Sequence, residues 1–244
     1  MITVTTEQAL FKAFNFQKNG SIQEASEIYE KLLKKGCKER NLLSNYAVLL
    51  KNKGELKKAK ELLIESIKLY PEFAGSYSNI GLVFFKERKY QESIFNINKA
   101  LSLEPDNPTF LYNAGLFYSR LNDLDAAKSY FLKAIKLRPD HHEAYAELSL
   151  LYLDLGEIDN AESMIRKAIS MNSNIPRYHS NLASLLTTKG DFHEAGEFAL
   201  KAFRFKSNYA KPLYVLSQSK THWNNDEYLH ELFSAKFETS LTKT

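Results

Sequence analysis

Apolar residues recur along the chain at steps of three and four positions, and the whole pattern repeats every 34 residues. In one copy the two apolar stripes are Tyr145, Leu148 and Tyr152, followed by Ala161, Ile165 and Ala168. Steps of this size place the apolar side chains on one side of an α-helix. Each copy is therefore predicted to fold as two amphipathic helices.

Six copies follow one another without a gap. They cover residues 6–39, 40–73, 74–107, 108–141, 142–175 and 176–209. The eighth position of every copy holds Ala, Gly or Ser, and the twentieth holds Ala or Ser. Small side chains at these positions let two helix backbones approach closely, with large neighbours interdigitating around them. Repetition at this period predicts a stack of helix pairs.

The turn between the two helices of each copy is predicted from the residue that occupies it. In chain order this position holds Gly20, Gly54, Arg88, Asn122, Gly156 and Gly190. Glycine and asparagine accept the left-handed backbone that ends a helix. Arg88 departs from this pattern and predicts a turn that is either strained or differently built. Proline at position 32 of copies two to four is expected to end the second helix, because it cannot donate an interior helix bond.

The repeat resembles the tetratricopeptide repeat, a family of 34-residue helical units, over residues 6–209. The resemblance implies antiparallel helix pairs stacked into a right-handed superhelix with a concave groove. The expected fold is therefore an all-α, right-handed α-solenoid of six repeats. Residues 210–237 are predicted to form C-terminal capping helices, and the polar residues 238–244 a disordered tail.

Several classes of chemistry are disfavoured by the sequence. It contains no phosphate-cradling glycine loop and no nucleophile-elbow motif, so no catalytic residue is predicted and the chain is not expected to be an enzyme. The six histidines are scattered and Cys37 is the single cysteine, so no metal or other cofactor is predicted. The net charge of +4 is modest and arginine is scarce beside lysine, which disfavours nucleic-acid binding.

The sequence also bears on localisation and on the distribution of charge along the chain. The N-terminus has neither a basic start nor an apolar segment, and no apolar run is long enough to insert into a membrane, so a cytoplasmic protein is predicted. Residues 31–68 carry eleven Lys or Arg against four Asp or Glu. This stretch either favours an acidic partner or coats the outer faces of the helices.

The family resemblance implies that positions two, five, six, nine, twelve and thirteen of each first helix line the groove. Position six is Asn in four copies, and an amide both donates and accepts hydrogen bonds. Such a column, which resembles that of the superhelices attached to protein O-GlcNAc transferases, can pair with the backbone of an extended peptide; alternatively it bonds within the protein. The predicted peptide-binding residues are Asn45, Asn79, Asn113, Asn181, Tyr112, Lys86, Arg120, Glu147 and Asp154.

Two further columns describe this groove. Position nine holds Phe14, Val48, Leu82, Leu116, Leu150 and Ser184, an apolar line that either packs between first helices or forms a floor for ligand side chains. Lys86 and Arg120 make the middle copies basic, whereas Glu147 and Asp154 make copy five acidic, which predicts a ligand of complementary charge. Position five holds no cation, so the clamp for chaperone C-terminal carboxylates is not expected.

Three functions remain open from the sequence. The first is a non-catalytic scaffold or adaptor that binds an extended peptide or a helix of a protein partner in the groove. The second is the substrate-recruiting part of a split or truncated bacterial sulfotransferase or glycosyltransferase, because residues 213–233 weakly resemble the helical joint in such enzymes. The third is self-association through the C-terminal cap, with Trp223, Tyr228 and Phe237 as anchors.

Overall fold

The computed structural model describes residues 5–205, and this part of the chain is built from α-helices without a strand. The all-α prediction is confirmed. The predicted capping helices, the tail and the aromatic anchors for self-association lie outside the described residues, as does the segment that suggested a transferase.

Each copy contributes a first and a second helix that pack against each other. The first helices are α1 (Thr6–Lys18), α3 (Arg40–Lys53), α5 (Ala74–Lys86), α7 (Pro108–Arg120), α9 (His142–Asp154) and α11 (Pro176–Lys189). The second helices are α2 (Ile22–Lys34), α4 (Leu56–Leu69), α6 (Tyr90–Leu103), α8 (Leu124–Leu137), α10 (Ile158–Met171) and α12 (Phe192–Phe205).

The chain divides into two compact units, Met1–Leu137 and Arg138–Thr244. In the first unit, each second helix packs against the first helix of the next copy, and the first helices α1, α3, α5 and α7 contact one another in sequence. In the second unit, α10 packs against α11, and α9 contacts α11. The first helices of successive copies therefore form a continuous layer within each unit.

Local signals in the sequence set where the helices begin and end. Thr5 and Gln8 form a capping box at the start of α1, with reciprocal backbone-to-side-chain bonds of 3.0 and 3.2 Å. Asn107 caps α7, and Pro108 occupies its first helical position, where no donor is needed. Helices α4, α6 and α8 each end two residues before a proline, as predicted.

The turn of copy three has the same backbone as the turns of the other copies. Arg88 has a φ of 60° and Asn122 a φ of 61°, against 75° to 87° for the glycines at the same position. The left-handed turns predicted for glycine and asparagine are confirmed, and the suggestion of a differently built turn at Arg88 is wrong. This conformation brings an arginine Cβ close to the following carbonyl oxygen, at a cost of roughly 1–2 kcal/mol. The turn is strained, as the other alternative predicted.

The small side chains at position eight are required by large neighbours. In copy four, a Cβ added at Gly115 would lie 2.6 Å from the ring of Phe131, which is 1 % exposed. In copy three, the same addition at Gly81 would lie 3.2 Å from the ring of Phe117 and 3.3 Å from a backbone oxygen. The buried aromatic rings therefore fill the space that the small column leaves.

Candidate functional site

The predicted asparagine column contains two kinds of side chain. Asn79 Nδ2 donates to Ser44 Oγ over 2.8 Å, and Asn113 Nδ2 donates to Ser78 Oγ over 3.0 Å. Each bond joins position six of one copy to position five of the copy before it. Asn113 is only 4 % exposed, so most of its surface is unavailable to a ligand. These two asparagines bond within the protein, to a serine of the preceding first helix.

The other two asparagines lack that serine. Position five of the preceding copy is Leu10 before Asn45 and Ala146 before Asn181. Among the described residues, the Asn45 side chain has no hydrogen-bond partner, and it is only partly buried. Asn181 Nδ2 is buried and also has no partner in the described part of the chain. Of the column, the structure therefore leaves the Asn45 amide accessible and unpaired.

A concave pocket of about 510 Å³ lies on the first helices of copies one and two, around this amide. It is lined by Glu7, Leu10, Phe11, Phe14, Glu39, Asn41 and Asn45. These residues occupy positions two, five, six and nine of α1, positions two and six of α3, and the residue just before α3. The pocket thus collects positions that the family resemblance assigns to the groove, and we call it the N-terminal groove pocket.

Two aromatic side chains give this pocket an exposed apolar surface. Phe11 is 68 % exposed and Phe14 is 46 % exposed. Neither was among the predicted site residues, although Phe14 belongs to the apolar position-nine column. Phe11 interrupts the asparagine column at position six, and this interruption is the signal in the sequence that could have identified it.

Charged side chains of opposite sign lie at the two ends of these first helices. Glu7 is in the first turn of α1, and Glu39 directly precedes α3. At the other end, Lys18, Lys51 and Lys86 are in the last turns of α1, α3 and α5. Acidic side chains therefore lie where α1 begins and directly before α3, and basic side chains lie where α1, α3 and α5 end.

Lys51 and Lys86 lie next to each other at the basic end. Lys86 Nζ donates to the backbone oxygen of Lys51 over 3.0 Å. Burial, and then the charge of Lys86, lower the pKa of Lys51. In the described part of the chain, neither ammonium group forms an ion pair with a carboxylate. Two adjacent cations without a counter-charge favour an anionic group of a ligand.

The other predicted residues are distributed over both units. In the first, Arg120 is exposed at the end of α7, and Tyr112 packs with its ring centroid 6.0 Å from that of Phe131. In the second, Arg177 Nη1 bonds to Glu147 Oε1 over 2.8 Å. The Glu147 side chain is 14 % exposed. Part of the acidic character predicted for copy five is therefore neutralised by a cation of copy six.

Residues 5–205 contain no group of three or more His, Cys, Asp or Glu side chains that could hold a metal ion. Within the same range, no helix combines the length and the apolar character that crossing a bilayer requires. The cytoplasmic localisation stays a prediction.

A family model described as tetratricopeptide repeat matches five consecutive segments, at residues 41–73, 74–107, 108–141, 142–175 and 176–209. These are copies two to six of the sequence repeat. The first copy is not matched by the family model, although it forms the helix pair α1 and α2.

Solved structures share this fold at low sequence identity. A structure titled as the APC/C hetero-tetramer Cut9–Hcn1 matches with a TM-score of 0.83 and 15 % identity, over 89 % of this chain and 43 % of that chain. This chain therefore spans less than half the length of that relative. No curated protein matches the chain significantly.

Two further solved structures are covered almost completely by this chain. The structure of YrrB, titled a TPR protein with an unusual peptide-binding site, matches with a TM-score of 0.56 and 21 % identity, over 76 % of this chain and 96 % of that chain. The pilF protein of Pseudomonas aeruginosa matches with a TM-score of 0.72 and 17 % identity, over 87 % of this chain and 97 % of that chain. At these identities the similarity concerns the fold, and it confirms the predicted stack of helical repeats.

Proposed function

Because the chain belongs to the tetratricopeptide repeat family, we propose that it is a non-catalytic interaction protein that holds an extended segment of a protein partner against its first helices. Repeat proteins of this kind generally mediate protein–protein interactions, and their stacked helices present an extended surface rather than an enclosed pocket. The N-terminal groove pocket is the part of that surface best equipped to hold a ligand.

The observation that carries this proposal is the exposure of Phe11 and Phe14 beside the unpaired amide of Asn45. Full burial of a phenylalanine side chain is worth about 1.5–3 kcal/mol. With Phe11 68 % and Phe14 46 % exposed, covering both would contribute roughly as much as one complete burial. Aromatic side chains in a concave surface are typical anchors of protein interfaces.

Asn45 supplies the polar contact that an extended peptide needs. Its amide can donate to a peptide carbonyl and accept from a peptide N–H. Each such bond contributes about 0.5–1.5 kcal/mol net, so Asn45 orients a ligand while the aromatic rings supply most of the affinity. Asn79 and Asn113 each commit one N–H to a serine of the preceding copy, and both are expected to contribute less.

The other predicted site residues are proposed to add contacts outside the N-terminal groove pocket. Lys86 and Arg120 are placed for an anionic segment of the partner, and Tyr112 adds aromatic surface in copy four. Asp154 is exposed and can contact a ligand directly, whereas Glu147 would first have to break its ion pair with Arg177. Asn181 is buried at its nitrogen and would require local rearrangement to reach a ligand.

Affinity capture with matched variants tests the proposal. The wild-type chain, a Phe11→Ala/Phe14→Ala double variant and a Phe95→Ala variant are used as bait, and captured proteins are compared by quantitative mass spectrometry. Phe95 is 73 % exposed on α6, a second helix, so its replacement controls for the loss of exposed aromatic surface in general.

The specific partners should be depleted by the double variant and retained by Phe95→Ala. An Asn45→Ala variant should weaken their capture partially, whereas Asn113→Ala should leave it nearly unchanged if the protein stays folded. Partners captured equally by the wild type and the double variant would contradict the proposal.

A further inference from the structure

We infer that the preferred ligand of the N-terminal groove pocket is a short extended peptide with a lysine or arginine near one end, a bulky apolar side chain in the middle, and an aspartate or glutamate near the other end. This assignment rests on the proposed function and adds the chemistry of the partner. It follows from three parts of the surface and from the distances between them.

The middle of the peptide is set by the aromatic rings. Phe11 and Phe14 lie in the second and third turns of α1, and the accessible Asn45 amide faces the same pocket from α3. An apolar ligand side chain covers the two rings, and the ligand backbone on either side of it can bond to Asn45. The pocket therefore favours a single bulky apolar side chain with polar or small neighbours.

The acidic end is set by Glu7 and Glu39, which both line the pocket. In the described residues, neither carboxylate takes part in an ion pair, and Glu39 makes no side-chain hydrogen bond to the start of α3. The nearby guanidinium of Arg40 lies over the ring of Phe73, at 5.2 Å from its centroid. Two carboxylates without a counter-charge at the rim of an apolar pocket favour a cationic side chain of the ligand.

The basic end is set by Lys18, Lys51 and Lys86. Lys86 Nζ is bonded to the backbone oxygen of Lys51, so the two lysines adjoin at this end, and no carboxylate of the described residues pairs with either ammonium group. Their mutual repulsion is relieved when a carboxylate approaches both. An acidic ligand side chain at this end therefore gains attraction and removes an existing unfavourable interaction.

The helix geometry gives the spacing of the ligand charges. Glu7 and Lys18 are eleven residues apart on α1, which corresponds to about 16 Å along the helix axis. Glu39 and Lys51 are twelve residues apart, or about 18 Å. An extended chain rises about 3.3 Å per residue, so residues four positions apart are about 13 Å apart at their Cα atoms. The reach of a lysine and an aspartate side chain covers the remainder.

The pattern therefore has two opposite charges four residues apart and an apolar residue halfway between them. A peptide that runs in the opposite direction fits equally well if its two charged residues are also exchanged. Its cationic side chain then still lies at the acidic end and its anionic side chain at the basic end. Peptides with two positive or two negative charges place one end next to a like charge.

Four synthetic nonapeptides, acetylated and amidated, test this inference. The first reads Ser-Gly-Lys-Thr-Leu-Thr-Asp-Gly-Ser; the second and third carry Lys or Asp at both charged positions; the fourth has Ser in place of Leu. Each is titrated into the ¹⁵N-labelled full chain and followed by two-dimensional NMR. The side-chain amide of Asn45 reports on the pocket, and that of Asn113, which is buried and bonded to Ser78, serves as the internal control.

The mixed-charge peptide should shift the Asn45 amide and leave the Asn113 amide unchanged. The two like-charge peptides should bind roughly threefold or more weakly, which is the scale of one exposed ion pair lost. The peptide without leucine should show no saturable shift. Absence of binding by the mixed-charge peptide at millimolar concentration, or equal affinities of the three charged peptides, would overturn the inference.

Charge-reversal variants separate direct recognition from damage to the fold. Glu7→Lys/Glu39→Lys should bind the peptide with two aspartates better than the mixed-charge peptide, and Lys51→Glu/Lys86→Glu should prefer the peptide with two lysines. Variants that keep the wild-type preference would refute ionic selection at that end. If partner capture depends on Phe11 and Phe14 while the charged peptides bind alike, the proposed function stands and this inference fails.

Discussion

Replacing Ala146 by serine should stabilise the second unit by supplying the missing partner of Asn181. In the first unit, both serine–asparagine bonds join residues 35 positions apart, and Ala146 precedes Asn181 by the same interval. Ala146 is 1 % exposed, and the serines at its position in copies two and three are buried to a similar degree. The new hydroxyl would therefore lie where an amide nitrogen now has no partner among the described residues.

The magnitude follows from opposing contributions. A neutral hydrogen bond contributes about 0.5–1.5 kcal/mol, and an unsatisfied buried donor costs about 1–3 kcal/mol. Against this, serine is a poorer helix former than alanine by about 0.5 kcal/mol. We expect Ala146→Ser to raise the free energy of unfolding by about 1 kcal/mol. In a unit of this size, such a gain raises the melting temperature by about 4–8 °C.

A double-mutant cycle measures this coupling. Urea unfolding is followed by circular dichroism for the wild type, Ala146→Ser, Asn181→Ala and the combined variant. Because repeat proteins do not always unfold in one step, hydrogen exchange of amides in α9 and α11 localises the effect. The serine should stabilise the wild-type background and fail to do so in the Asn181→Ala background. Equal effects in both backgrounds would show that no bond forms.

Three further substitutions have expected outcomes. Gly115→Ala should lower the free energy of unfolding by about 1–3 kcal/mol, because the added methyl group overlaps the Phe131 ring, and calorimetry would detect it. Arg88→Gly should raise the urea midpoint, since a strain of about 1–2 kcal/mol is removed at an entropic cost of about 0.5–1 kcal/mol; a lower midpoint would contradict this. Burial, and then the charge of Arg138, lower the pKa of His141 in the folded state. Above the ordinary histidine pKa of about 6.5 this has no effect on stability, but as the pH falls below it the unfolded chain binds the proton more readily and the free energy of unfolding should decrease. Urea midpoints at pH 7.5 and 5.5 should therefore differ more in the wild type than in His141→Gln.

The helices and turns could be predicted from the sequence because the same pattern of apolar, small and turn residues occurs in six copies, and each copy folds in the same way. Agreement at Gly54 and Asn122 identifies a left-handed position even though their side chains differ. Arg88 shows the limit of this inference. Its backbone is set by the two helices that the turn must connect, and packing of those helices outweighs the preference of the single residue.

The site could be predicted only in part, because side-chain partners depend on how successive copies stack. Asn79 and Asn45 occupy the same position in the repeat, yet only Asn79 has a serine at the required offset. That offset joins position six of one copy to position five of the copy before, and the periodicity alone does not reveal it. The exposure of Phe11 likewise depends on how α1 and α3 pack, and the sequence does not give that packing.

The serine–asparagine bond crosses the boundary between copies, and this limits how the array can be lengthened. In copy three, Asn79 donates to a serine of the copy before, and Ser78 accepts from an asparagine of the copy after. A tandem duplication of residues 74–107 would therefore keep a serine before every asparagine at the new junctions. In copy six, Arg177 at position two pairs with Glu147 at position six of copy five. Copy five has Glu143 at position two, so a tandem duplication of copy five would place Glu143 of one copy against Glu147 of the copy before it. Two carboxylates would then face each other. The copies are equal in length but not interchangeable, and growth of the array is permitted at some junctions and penalised at others.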